Sequence, residues 1–72
     1  MINTANSKLF IEGRTIYSQE EGYSSIQTVF HCAPGDTPIH AEWENEDCII
    51  TMEDGRVYCC PAPNYGTLQR IS

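Results

Sequence analysis

The side chains of this chain with most chemistry to offer are four cysteines and two histidines: His31-Cys32, His40, Cys48 and the doublet Cys59-Cys60. Thiolate and imidazole are the ligands zinc prefers, usually in a tetrahedral set of four. Cys32, His40, Cys48 and one member of the doublet, Cys60 or Cys59, form the conceivable set. Structural zinc sites, however, bring ligands in close pairs such as C-x2-C on a turn, and this chain offers adjacent doublets instead. Neighbouring strand residues point to opposite faces, so Cys59 and Cys60 cannot serve one ion without distorting the strand. The expectation is therefore no cofactor and no metal, with Cys32, His40, Cys48 and Cys60 kept as the zinc alternative.

The same alternation argues against a thiol nucleophile, which needs a base at its side. Cys32 and His31 are sequence neighbours and point apart on a strand. The acid pairs Glu20-Glu21 and Glu53-Asp54 fall where turns are expected and would be solvated. No G-x-S-x-G, phosphate loop or H-E-x-x-H motif is present. No enzymatic activity is expected.

Binding chemistry is better represented. Glu42-Trp43-Glu44-Asn45-Glu46-Asp47 sets four acids around the only tryptophan. On a strand Trp43 faces inward and Glu42 and Glu44 face outward, with Glu46 and Asp47 in the turn that follows. Such a ridge can meet lysines and arginines of another protein. Tyr58 and Tyr65 are the aromatic contacts expected beside it, because tyrosine, tryptophan and arginine dominate interface hot spots. The expected partner-binding set is Glu42, Trp43, Glu44, Glu46, Asp47, Tyr58 and Tyr65. The plainer account of the same residues is a core tryptophan beside a solvated edge whose like charges discourage aggregation.

A sheet must position these groups. Asp54-Gly55 lies between two apolar, β-rich arms, the strongest short-range hairpin signal in the chain. With Asp54 and Gly55 as a two-residue turn, Glu53 faces Arg56, Met52 faces Val57, Thr51 faces Tyr58, Ile50 faces Cys59 and Ile49 faces Cys60. That register puts Cys48, Ile50, Met52, Val57 and Cys59 on the core face. Ile49, Tyr58 and Cys60 form an apolar streak on the other face, to be covered by another strand or used as a contact surface. Cys48 and Cys59 are then diagonal neighbours about 7–8 Å apart, outside disulfide reach, and read as buried free thiols.

Residues 8–17 read as a further hairpin turning at Glu12-Gly13, with Leu9 opposite Ile16 and Phe10 opposite Thr15. Residues 23–32 alternate, with Ile26, Thr28 and Phe30 on one side and Gln27, Val29 and His31 on the other. Residues 39–44 alternate again, with Ile39, Ala41 and Trp43 inward. Proline and glycine break the chain at 33–38 and 61–66, and residues 67–71 can close the sheet. No segment carries a 3.6-residue apolar period over ten residues. The expected architecture is mostly β: a single small domain over 8–72, an antiparallel meander of about six short strands forming a bent sheet or a small SH3-like or OB-like barrel. Residues 1–7 are expected to be a flexible start.

Composition limits the partners. Four lysines and arginines stand against ten acids, a net charge of -6 in 72 residues. Direct nucleic-acid binding needs a basic stripe, and Lys8, Arg14, Arg56 and Arg70 are scattered singly. Attraction to an anionic membrane is disfavoured for the same reason. A protein with a basic surface is favoured. No basic-plus-apolar leader opens the chain and no stretch approaches the roughly 20 apolar residues of a membrane helix, so a cytoplasmic protein is expected. A chain this short has a thin core and little room for a deep pocket. The expected function is a small acidic protein-binding module, a regulator or inhibitor of the kind made by viruses and mobile elements, which occupies a basic surface of its partner. The alternatives are a zinc-stabilised structural domain and a homo-oligomeric structural protein, a homodimer joined through the apolar streak or an open sheet edge.

Overall fold

A computed structural model describes residues 2–72. One turn of 3-10 helix at Thr4–Asn6 precedes seven strands: β1 (Ser7–Glu12), β2 (Thr15–Glu20), β3 (Ile26–His31), β4 (Pro38–Glu44), β5 (Asp47–Met52), β6 (Val57–Cys60) and β7 (Gln69–Arg70). Each strand pairs antiparallel with the next inside two sheets, β1-β2-β3 and β4-β5-β6-β7. The meander of short strands is as the sequence implied. Of the two expected closures the structure takes the bent-sheet form, and no barrel closes. No described helix is long and apolar enough to cross a membrane.

Turn chemistry sets the registers. Glu12 pairs with Thr15, so the first turn is Gly13-Arg14. Gly13 takes φ 63, as the first central position of a type II′ turn requires. Leu9 therefore faces Ser18, and Phe10 faces Tyr17, rather than Ile16 and Thr15. The register moves by two, so every side chain keeps its expected face. The β5–β6 hairpin is different. Gly55 N–H donates to the Met52 carbonyl (3.0 Å) and Met52 N–H to the Arg56 carbonyl (2.8 Å). The loop is thus three residues, Glu53-Asp54-Gly55, with Gly55 at φ 95, a type I turn closed by a glycine bulge. The observed pairs are Cys48 with Cys60, Ile49 with Cys59, Ile50 with Tyr58 and Thr51 with Val57. This is one residue away from the expected register, so Tyr58 and Cys60 move to the core face and Val57 and Cys59 to the other.

The core fills the space between the inner faces. Ile16 of β2 and Val29 of β3 meet Cys48, Ile50 and Met52 of β5 and Cys60 of β6, with Cys32 and Tyr65 from the loops. Three thiols in so small a core act as compact hydrophobes, and all four cysteines are free. The molecule is 17 Å across its shortest axis, room for one core layer between two sheets about 10 Å apart. β1 lies along β4, and the Trp43 indole N–H donates to the Ser7 carbonyl across that seam (3.1 Å).

Two bulges break the expected alternation. The β4–β5 register shifts between Pro38 and His40, so Ile39 is extruded to 59 % exposure while Pro38 is buried. In β3 the register shifts opposite Ile16/Tyr17. Val29 becomes buried, and Ile26, expected to share a face with Phe30, is 53 % exposed. Met1, part of the segment expected to be flexible, lies outside the described residues. Ser7 already belongs to β1, and Ile2 packs against the core.

Candidate protein-binding face

Alternation along β4–β7 leaves one face of the second sheet turned away from the core. The register places Glu42, Ile49, Cys59 and Gln69 in one row across it, with His40, Thr51 and Val57 in the next and Glu44 and Asp47 at the end. Ile71 donates its N–H to the Val57 carbonyl (2.8 Å) and continues that margin. It is 56 % exposed. Ile49 is 9 % exposed although it lies outside the core cluster. The result is an apolar strip of Ile49, Val57, Cys59 and Ile71 with carboxylates along one side.

Among the described residues no lysine or arginine neutralises those carboxylates. Glu42, Glu44 and Glu46 are exposed. The ion pairs among the described residues are Arg56–Asp36 at 2.8 Å, Arg56–Asp54 at 2.6 Å and a His40–Glu42 approach at 4.0 Å. Glu44, Glu46 and Asp47 have no cationic partner among the described residues, and the register puts no lysine or arginine on this face. Glu44 and Asp47 stand directly opposite one another, an arrangement of like charges that costs stability. Asn45-Glu46 makes the turn between them, with Asn45 at φ 57. Asp47 is half-buried and accepts the Ala62 N–H (2.9 Å). Partial burial, followed by the Asp47 charge and hydrogen bond, pushes the Cys59 thiol above its ordinary value.

No family model, curated protein or solved structure matches the chain. What the site can do follows from its own residues.

Of the expected binding set, Glu42, Glu44 and Asp47 share this face and Glu46 stands at its end. The three aromatic residues serve the fold. Trp43 is half-buried on the inner side of β4, tilted against Tyr65 at 6.0 Å between centroids. Tyr65 is buried, takes φ 51 and donates its hydroxyl to the Glu46 carbonyl. Burial, then the charges of Glu46 and Asp47, raise its pKa. Tyr58 is on the core-side face, and its hydroxyl accepts from the Arg56 guanidinium (2.9 Å). Arg56 does not pair with Glu53 as expected. It clamps the β5–β6 loop to the loop before β4 through Asp54 and Asp36. Its backbone N–H, then its guanidinium, hold the Asp54 carboxyl below its ordinary value.

The zinc alternative is not assembled. Cys32, Cys48 and Cys60 lie fully buried in the core, while His40 is exposed beside Glu42 on the opposite face. Among the described residues no group of three or more histidine, cysteine or acidic side chains is arranged to hold a metal. A cleft of about 380 Å³ lined by Lys8, Phe10, Gln19, Glu20 and Tyr23 opens on the first sheet, away from the acidic face. Sequence reasoning named Ile49 for the apolar streak but gave it Tyr58 and Cys60 as neighbours. The signal that yields Val57 and Cys59 instead is loop length: a glycine ending a type I turn adds one residue and inverts β6.

Proposed function

We propose that this chain is a protein-binding module that seats a basic segment of its partner on the outer face of the second sheet. The observation that carries the reading is the row of acidic side chains, Glu42, Glu44 and Asp47 with Glu46, none paired with a lysine or arginine among the described residues, flanking an apolar strip that runs from buried Ile49 through half-buried Val57 and Cys59 to exposed Ile71. Ile49, Val57, Cys59 and Ile71 supply the desolvated centre such contacts need, and the acids supply steering and register toward lysine and arginine. By occupying that basic surface the module regulates or inhibits its partner, with no catalytic step of its own. A partner whose own target is nucleic acid has the required charge.

Capture from a lysate of the cell that makes the protein, at low and high salt, tests this. The expected catch is a basic protein, released by salt, lost with the Glu42→Gln/Glu44→Gln/Glu46→Gln variant and weakened by Val57→Asp. Asp47 is left intact because it holds the Ala62 N–H. Undiminished capture by both variants would overturn the reading.

A further inference from the structure

β3 is the outer strand of the first sheet, and its free edge is unlike the others. Just before β2 the Arg14 carbonyl accepts the Cys32 N–H on the β3 side, while just after it the Glu21 N–H donates to the Asn6 carbonyl on the β1 side. Even-numbered positions of β2 thus direct their backbone groups to β3, which makes Ser18 and its register partner Gln27 a hydrogen-bonded pair by alternation. Alternation then aims the N–H and C=O of Ile26 and Thr28 outward. No backbone bond beyond the β2–β3 ladder engages residues 24–31 among the described residues. Both faces of this stretch are open as well: Ile26, Gln27 and Thr28 are all exposed.

Natural edges are blunted by charge, proline or a bulge. The bulge at Val29 ends the regular edge on one side only. Residues 22–35 hold no acidic, lysine or arginine side chain, although the chain carries -6 overall. The edge of β4, by contrast, carries Glu42 and Glu44 and faces β1, and β7 is two residues long.

We infer that the β3 edge pairs with the β3 edge of a second copy, joining two three-stranded sheets into one antiparallel sheet of six. Two copies of an acidic chain repel each other except where neither presents charge, which selects this edge. The outward groups fix the register. A two-fold axis at Gln27 sets Ile26 opposite Thr28 of the second copy and Thr28 opposite its Ile26, so both pairs exchange N–H···O=C bonds. Gln27 meets its own counterpart in the intervening non-hydrogen-bonded pair, where side chains approach most closely. On one face Thr28 continues the row of the stacked Phe10 and Tyr17 rings, and Ile26 of the second copy, set opposite Thr28, comes next in that row across the seam, adding apolar burial to the backbone bonds. The acidic face of the other sheet stays open in such a dimer.

Light scattering coupled to size exclusion over a wide concentration range reads this directly. The expected result is twice the monomer mass at the upper concentrations. Gln27→Lys places two like charges face to face, and Thr28→Pro removes an outward N–H that the folded monomer does not use. Each should return the protein to monomer with an unchanged far-ultraviolet spectrum. Gln27→Cys should give a covalent dimer under mild oxidation, with a disulfide between the two substituted positions confirmed by peptide mapping. A chain that stays monomeric throughout overturns the inference. So does a dimer that survives both Gln27→Lys and Thr28→Pro, since it would be joined elsewhere. Neither result bears on capture of a basic partner, because Gln27 and Thr28 are not on the acidic face.

Discussion

At the scale of single residues, the thiols are the clearest case of environment deciding chemistry. Burial, reinforced by the neighbouring thiols, pushes Cys48 up to about 12 and Cys60 up to about 11. Burial and then the Asp36 charge raise Cys32 as well. The unfolded chain ionises these groups near pH 9, so above that pH the unfolded state gives up protons that the folded state retains. Their stabilising effect is complete below about pH 9 and is lost as pH rises toward the folded values, at roughly 1.4 kcal/mol per pH unit for each thiol within its window. Urea titrations should therefore show midpoints that fall above pH 9, with a shallower fall in Cys48→Ala. A flat profile would contradict the burial of these groups. In the native protein a thiol reagent should reach Cys59 first, and the other three only after unfolding. Trp43 makes a second residue-scale case. Trp43→Phe keeps an aromatic ring near Tyr65 but strands the Ser7 carbonyl, at a cost of about 1 kcal/mol, readable as a lower denaturation midpoint.

At the scale of elements, backbone conformation at the turns explains most of what folds where. Gly55 sits at φ 95, where an L side chain is strained, whereas Gly66 has no such φ and open space around it. Gly55→Ala should cost about 1 kcal/mol or more, while Gly66→Ala should be neutral or stabilising by a few tenths. Equal effects in chemical denaturation would contradict the three-residue loop. The loop also marks the limit of what the sequence reveals. Strand positions and hairpin order were legible because β-rich runs and Gly/Pro breaks alternate so regularly. The β6 face was not, because Val57-Tyr58-Cys59-Cys60 reads as apolar in either register, leaving only turn geometry to choose. In β1–β2 a misplaced turn did no harm, since a shift of two preserves faces. In β4 the acids lie on the expected side because Glu42, Trp43 and Glu44 alternate without a bulge. Ile39, one step past the bulge, does not obey the same pattern. The acidic half of the candidate site was thus readable from spacing, and its apolar half depended on one extra loop residue.

At the scale of the whole molecule, the charge distribution looks costly to the fold and is arranged in a way folding alone does not require. A thin core built on Ile16, Ile50, Met52 and three thiols leaves a small stability margin. Yet the chain spends its basic residues elsewhere: Arg56 is tied to Asp36 and Asp54, and Arg70 reaches the Ser72 carbonyl. Glu44 and Asp47 meanwhile repel across the ladder, and Glu42 and Glu46 add charge of the same sign. If those acids serve a partner, removing them should relieve the fold while abolishing the binding. Glu42→Gln/Glu44→Gln/Glu46→Gln should therefore melt a few degrees higher than the parent at low ionic strength. The gap should narrow as salt screens the parent's repulsion. The same variant should lose the basic partner under conditions where the parent holds it. Stability and binding moving in opposite directions would identify the acidic row as a functional cost; a variant that melts lower would mean that the carboxylates support the sheet, and their placement would need no partner to explain it.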